Sequence, residues 1–248
     1  FSVPSLLFIR LPKWYALMRF NEPEQIMASL TDSSVRDALV AEAQGMMPLW
    51  NRLVLRQVVS EANQCLVGKT LQEIAELRGS DALNVMIDVS LEESLDAHFL
   101  SGDMGHNEDD LVAPLLKHPN VMVGASDGGA HILSFATYGD TGYLLGHFVR
   151  DTAHLGLEAA VKKITADPAS LWGLGNRGML REGFIADITV FDEAVVARGV
   201  EYFVQDVPGD GYRYVRDAHG IHSVVIGGAL AYDKVNGYHE AHRGQIIG

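Results

Sequence analysis

Apolar and polar positions alternate along the chain in two ways, one helical and one typical of strands. Apolar residues recur at helical spacing from Glu24 to Gln44, which predicts one amphipathic helix. Thr70 followed by Glu73 is a capping-box signature that predicts a helix start, and Gly79 provides the expected stop. Further helices are predicted within residues 82–99, 107–118 (capped by Asn107), 143–151 and 157–163.

The pattern changes after Pro119. Val121 to Ala125 is a short apolar run without alternation, which is typical of a parallel strand buried on both faces. The run ends abruptly in the polar, glycine-rich segment Ser126 to Gly129. A helix, a buried strand and a polar loop in this order form one unit of an α/β fold.

The end of the chain has a β-type pattern. Residues 186–191 alternate between apolar and polar, and residues 223–232 predict two strands joined by a Gly227-Gly228 turn. We therefore expect an α/β part over residues 1–182 and a β-sandwich portion over residues 183–248.

Composition limits the classes of partner. The chain has 248 residues and a formal net charge of −13, with the acidic residues spread along it, which disfavours nucleic-acid and anionic-membrane binding. The single cysteine, Cys65, excludes an intrachain disulfide and fits a reducing compartment, so we expect a cytoplasmic protein.

Asp127 is the leading candidate for chemistry. It follows the predicted buried strand, at the end where barrel enzymes place catalytic groups, and His131 is close enough in sequence to line the same mouth. A carboxylate there can bind a metal or accept a proton from metal-bound water. Its position alone fits equally well a carboxylate that caps the next helix.

Several segments resemble a known family. VMVGASDGGAH (121–131), LEAAVKKITADPASLWGL (157–174) and NRGMLREGFIADITVFD (176–192) are similar, in order and spacing, to the amidohydrolase superfamily. GKTLQEIAELRG (68–79) and HFLSGDMGHNEDDLVAPLLKHPNVMVGASDGG (98–129) resemble its N-acyl-D-amino-acid deacylase branch. The resemblance covers roughly residues 50–230 and corresponds to the C-terminal half of that family.

The resemblance implies an α/β fold, in which residues 1–182 are the C-terminal part of a (β/α)8 TIM-like barrel with a helical insertion, followed by a small β-sandwich. It implies a zinc-dependent hydrolase of amide-type C–N bonds acting on a small-molecule substrate. Asp127 would be the general acid/base and a zinc ligand, and His131 would contact substrate. The family's H-x-H ligand pair does not occur in this sequence. We therefore expect the other ligands in an N-terminal part before Phe1, which this chain, or a partner chain, would pack against. A homo-oligomer is compatible with this arrangement.

Two departures keep alternatives open. Several deacylases carry an arginine soon after the aspartate loop, whereas this sequence has none between Asp127 and Arg150. That difference favours a hydrolase of cyclic amides as an alternative substrate class. The missing H-x-H favours a non-catalytic, amidohydrolase-like scaffold protein as an alternative function. We expect Arg177 to form a structural ion pair, and Trp14, Trp50 and Trp172 to pack in a core or at its rim.

Overall fold

The chain forms a mixed α/β structure with two compact units. A computed structural model describes residues 10–20, 22–101, 108–130, 132, 136–209, 211–240, 244 and 246. Contacts divide the chain into unit 1, Phe1–Asn107, and unit 2, Glu108–Gly248. The expected boundary at 182/183 falls inside unit 2 and stays a prediction.

Unit 1 is mostly helical. Its described helices are α1 (Pro12–Leu17), α2 (Pro23–Thr31), α3 (Ser33–Ala43), α4 (Met47–Trp50), α5 (Leu71–Arg78) and α6 (Ala82–Glu92), with short 3-10 turns at Gln44–Met46 and Gln64–Leu66. Strands β1 (Leu53–Gln57) and β2 (His98–Ser101) pair in an antiparallel ladder.

Two tryptophans lie at the centre of the unit 1 core. Trp14 and Trp50 are fully buried and stack with their ring centroids 6.3 Å apart. Each indole N–H donates to a carbonyl of the same helix α3, that of Trp14 to Leu39 at 2.9 Å and that of Trp50 to Ala43 at 3.1 Å. Because both N–H groups have acceptors, these hydrogen bonds offset the desolvation of the buried indoles, and the predicted packing role of Trp14 and Trp50 is confirmed. The same prediction is wrong for Trp172, which is 73% exposed.

Local capping decides where the unit 1 helices begin. The predicted single helix over 24–44 is wrong in one respect, because Asp32 divides it into α2 and α3. The Asp32 carboxylate accepts hydrogen bonds from the amides of Ser34 and Val35, so a new helix starts there. The capping box of Thr70 and Glu73 is confirmed at the start of α5.

Unit 2 combines helices with antiparallel sheets. Its described helices are α7 (Asp109–Lys117), α8 (Asp140–Tyr143), a π-helix (Leu144–Asp151), α9 (Leu157–Ile164) and α10 (Ala166–Leu171). Its described strands are β3 (Ile188–Phe191), β4 (Ala197–Val207), β5 (Gly211–His219), β6 (Ile221–Ile226), β7 (Ala229–Asp233) and β8 (Gly237–Tyr238). The predicted cap Asn107 lies outside the described residues, and α7 has Glu108 at its N-cap position.

The strands form two antiparallel arrangements. Strands β3, β6, β7 and β8 make one sheet in the order β3-β6-β7-β8, and the predicted hairpin around Gly227-Gly228 is confirmed as β6–β7. Strands β4 and β5 pair with each other as a two-stranded unit that we call the β4–β5 ribbon. The β-rich character expected after residue 183 is therefore present.

The predicted buried parallel strand over 121–125 is wrong. These residues belong to no strand of the described structure, and their side chains range from half-buried to exposed. A parallel strand buried on both faces needs hydrogen-bonded neighbours along its edges. No described strand pairs with this segment, so the apolar run does not form a strand within the described structure.

No helix among the described residues combines the length and the apolar character that a membrane crossing requires.

Candidate functional site

The loop that carries Asp127 is closed through one backbone oxygen. We define the Asp127 loop as residues 124–139, of which 131 and 133–135 lie outside the described residues. The carbonyl oxygen of Asp127 accepts from the Ala130 amide at 2.8 Å and from the Thr137 hydroxyl at 2.5 Å. Gly129 has φ of +94°, a left-handed conformation that glycine adopts without steric cost. Two hydrogen bonds, one from Ala130 and one from Thr137, thus fix the backbone carbonyl group of Asp127.

The β4–β5 ribbon anchors the rest of this loop by three hydrogen bonds. The amide of Tyr214 donates to the carbonyl oxygen of Ile132 at 2.8 Å. The amide of Ala136 donates to Glu201 Oε2 at 3.0 Å, and the amide of Arg216 donates to the Tyr138 hydroxyl at 3.1 Å. The ribbon therefore fixes the segment that returns from Asp127 to α8.

The Asp127 side chain is exposed. In the part of the chain that the structure describes, its carboxylate takes part in no hydrogen bond or ion pair. The next helix, α8, has Gly139 at its N-cap and no side-chain cap, so the helix-capping alternative for Asp127 is wrong. A fixed backbone with an exposed, unpaired carboxylate can present an acid/base group to a ligand.

The structure leaves the other predicted site residue undecided. His131 lies outside the described residues, so its contact with substrate stays a prediction. No three His, Cys, Asp or Glu side chains within the described ranges form a group that could hold a metal ion. Asp127 is therefore not part of a complete ligand set within those ranges, whereas a catalytic zinc site uses three protein ligands.

An ion pair beneath the loop was not predicted from the sequence. Arg216 Nη2 lies 3.1 Å from Glu201 Oε2, and these side chains are only 10% and 12% exposed. Register explains the pairing, since Glu201 and Arg216 are direct cross-strand partners in the ribbon. The same Glu201 oxygen accepts from Ala136, so the pair supports the Asp127 loop as well as the ribbon.

A second arginine of the ribbon lies next to the loop. The Cζ atom of Arg198 is 4.3 Å from the centroid of the Tyr143 ring, a cation–π contact. Burial, followed by the nearby positive charge of Arg216, lowers the pKa of Arg198. Arg198 and Arg216 are more than 60 residues from Asp127 in sequence, so no local signal connects them to it.

The predicted structural role of Arg177 is confirmed. Its guanidinium pairs with Asp187 just before β3, and the other Asp187 oxygen accepts from the Gly227 amide at 2.8 Å in the β6–β7 turn. Arg177 therefore holds the segment after α10 against the four-stranded sheet.

The chain is similar in sequence to several known deacylases. The D-aminoacylase of Alcaligenes xylosoxydans xylosoxydans is 32% identical over 184 residues, which cover 73% of this chain and 34% of the relative. The N-acyl-D-glutamate deacylase of the same organism is 34% identical over 151 residues, covering 60% of this chain and 29% of that protein. A solved D-aminoacylase structure is 28% identical, with a TM-score of 0.45, and the match covers 79% of this chain and 37% of that one.

The chain thus spans about a third of the length of the curated relatives that it matches. Residues 25–232 match the amidohydrolase family, a range that includes Asp127, the β4–β5 ribbon and the β6–β7 hairpin. The resemblance inferred from the sequence motifs is therefore confirmed, and the chain belongs to the amidohydrolase family.

Proposed function

We propose that the protein containing this chain is a metal-dependent hydrolase of amide-type C–N bonds, with Asp127 as its general acid/base. Membership of the amidohydrolase family supports the reaction class. The observation that carries the role of Asp127 is its exposed carboxylate on a backbone held by Ala130 and Thr137. A small-molecule N-acyl-D-amino acid is the proposed substrate class, because the curated relatives are deacylases of this kind.

Asp127 would move a proton in two steps. Its carboxylate oxygen takes a proton from the water that attacks the amide carbonyl carbon, and the carboxyl group then donates it to the departing nitrogen. The amide C–N bond breaks as the nitrogen leaves as a neutral amine, and the acyl carbon gains the water oxygen. An exposed side chain on a fixed backbone suits this role, because it can reach two atoms of one substrate from a constant position.

Zinc is the proposed cofactor. A bound zinc ion would polarise the carbonyl and make a water molecule more acidic. The described residues do not supply a complete set of ligands, so the proposal requires ligands from other parts of the protein. We likewise propose that the chain is part of a TIM-like barrel, completed by its own N-terminal half or by a partner chain, in a cytoplasmic protein.

The test is Asp127→Asn in the full-length protein, assayed with zinc present on a panel of N-acyl-D-amino acids. Asparagine keeps the volume and removes the base, so hydrolysis should fall by about a hundredfold or more while the thermal midpoint is unchanged. Asp110→Asn is a matched control, because Asp110 is a fully exposed aspartate at the start of α7. Wild-type turnover by the Asp127 variant would refute its role.

A further inference from the structure

Arg198 presents hydrogen-bond donors that no carboxylate of the described residues occupies. Its guanidinium lies over the Tyr143 ring, which fixes the plane of the group and covers one of its faces. Stacking of this kind leaves the N–H groups at the edge free to bind an acceptor. Among the described residues, no carboxylate is within ion-pair distance of Arg198.

The side chains of both ribbon arginines contact the end of the Asp127 loop. A Cβ atom on Gly139 would lie 2.8 Å from Arg198 Cγ and 3.2 Å from Arg216 Cδ. Gly139 follows Tyr138, whose hydroxyl accepts from the Arg216 amide. Only Tyr138 separates Gly139 from Thr137, whose hydroxyl donates to the Asp127 carbonyl oxygen. Arg198 is therefore next to the segment that holds the proposed acid/base.

The carboxylates near Arg198 do not neutralise its positive charge, so an anion could bind there. Glu201 is already engaged by Arg216 and by the Ala136 amide. The Nε of Arg216 is buried and has no hydrogen-bond acceptor among the described residues, so this guanidinium is incompletely satisfied. Asp140 is the other carboxylate whose charge acts on Arg198, and it is exposed to solvent, which screens its effect.

We propose that Arg198, oriented by Tyr143, binds a carboxylate group of the substrate. The inference rests on the proposed amide hydrolysis and adds the part of the substrate that is recognised. An N-acyl amino acid carries a carboxylate on the carbon next to the scissile nitrogen. A planar guanidinium beside the Asp127 loop matches that group through two parallel hydrogen bonds. The ribbon would in this way supply a cation that the sequence directly after Asp127 lacks.

The experiment compares two substrates that differ only in the carboxylate, N-acetyl-D-leucine and N-isopentylacetamide, with the full-length protein. Arg198→Met should raise KM for N-acetyl-D-leucine about tenfold to a hundredfold, the loss expected for a hydrogen bond between charged groups. KM for N-isopentylacetamide should stay unchanged. Arg198→Lys should give a KM for N-acetyl-D-leucine between those of wild type and Arg198→Met, because lysine keeps the charge but not the two parallel N–H donors.

Arg213→Met is the matched control. Arg213 lies on the same ribbon, but Asp206 already neutralises it through two hydrogen bonds of 2.7 Å, so both KM values should stay unchanged. If Arg198→Met fails to fold, Arg198→Lys still tests the site, because a raised KM for N-acetyl-D-leucine alone would support it and an unchanged KM would contradict it. Equal effects of Arg198→Met on both substrates, or none on either, would overturn the carboxylate site while hydrolysis stands. A wild-type protein that cleaves neither compound would instead remove the proposed function.

Discussion

The hydroxyl of Thr137 donates a hydrogen bond of 2.5 Å to the backbone carbonyl oxygen of Asp127, ten residues earlier in the chain. This contact closes the Asp127 loop, because the same oxygen also accepts from the Ala130 amide. It acts on the backbone and leaves the carboxylate free. A substitution at Thr137 would therefore change how the Asp127 backbone is held without changing the carboxylate itself.

Thr137→Val should lower kcat more than it changes KM. Valine keeps the shape of threonine but removes the hydroxyl donor, so the Asp127 backbone loses one of two restraints. The free energy of unfolding should fall by about 0.5–1.5 kcal/mol, the range for one hydrogen bond. Steady-state kinetics and urea unfolding of the full-length protein measure both effects. Thr137→Ser keeps the donor and should behave as wild type, and an equal loss in both variants would contradict the role of the hydroxyl.

Two neighbouring lysines should differ sharply in their effect on stability. Lys163 is buried and its ammonium donates to the carbonyl oxygens of His118 at 2.7 Å and Val121 at 2.5 Å, which fixes the segment leading into the Asp127 loop. Lys163→Met should cost about 1–3 kcal/mol, because two carbonyl groups lose their donor. Lys162 is exposed and paired with Asp167, so Lys162→Met should cost about 0–1 kcal/mol. Chemical denaturation of both variants gives the comparison, and equal losses would argue against the buried anchor.

Glu93 should make stability depend on acid pH. Its side chain is buried, which alone would raise its pKa, but hydrogen bonds from Ser60, Asn63 and the Val59 amide outweigh burial and lower the pKa to about 2. Since the folded pKa lies below the unfolded value of 4.5, the stabilisation is complete above pH 4.5. It is lost as the pH falls through the folded value, and amounts to about 3 kcal/mol.

The measurement for Glu93 is the unfolding free energy between about pH 6 and pH 3. Glu93→Gln should be less stable at neutral pH and should show a flatter pH dependence than wild type. Glu76→Gln removes an exposed carboxylate on α5 and is the control, so its pH dependence should follow wild type. Parallel curves for wild type and Glu93→Gln would show that this carboxylate contributes nothing to acid sensitivity.

Removing Glu201 should destabilise the β4–β5 ribbon. Glu201→Ala leaves the Arg216 charge poorly solvated and the Ala136 amide without its acceptor, so we expect a loss of about 3 kcal/mol. The control is Asp206→Ala, which breaks the exposed pair with Arg213 on the same ribbon and should cost about 0–1 kcal/mol. Hydrogen exchange at Ala136 should also become faster in the Glu201 variant only. Similar losses of unfolding free energy in the two variants would mean that the buried pair stabilises the ribbon no more than the exposed pair does.

Several elements were predictable because their determinants are close together in the sequence. The capping box joins Thr70 to Glu73, and the hairpin needs only two short strands around Gly227-Gly228. The family resemblance likewise came from contiguous motifs between residues 68 and 192, and residues 25–232 match the amidohydrolase family. These hydrogen bonds join residues a few positions apart, so the residue types that form them stand together in the sequence and a local pattern is enough to predict them.

The surroundings of Asp127 depended on the tertiary structure instead. The sequence identified the aspartate, but Glu201, Arg216 and Lys163, which hold its segment in place, are separated from the residues that they bind by more than 40 positions. The apolar run at 121–125 predicted a strand, yet a strand exists only where a second strand offers hydrogen bonds along its edge. An apolar pattern shows that burial of the segment is favourable, but burial is non-directional. Which residues the segment packs against is therefore determined by the tertiary structure.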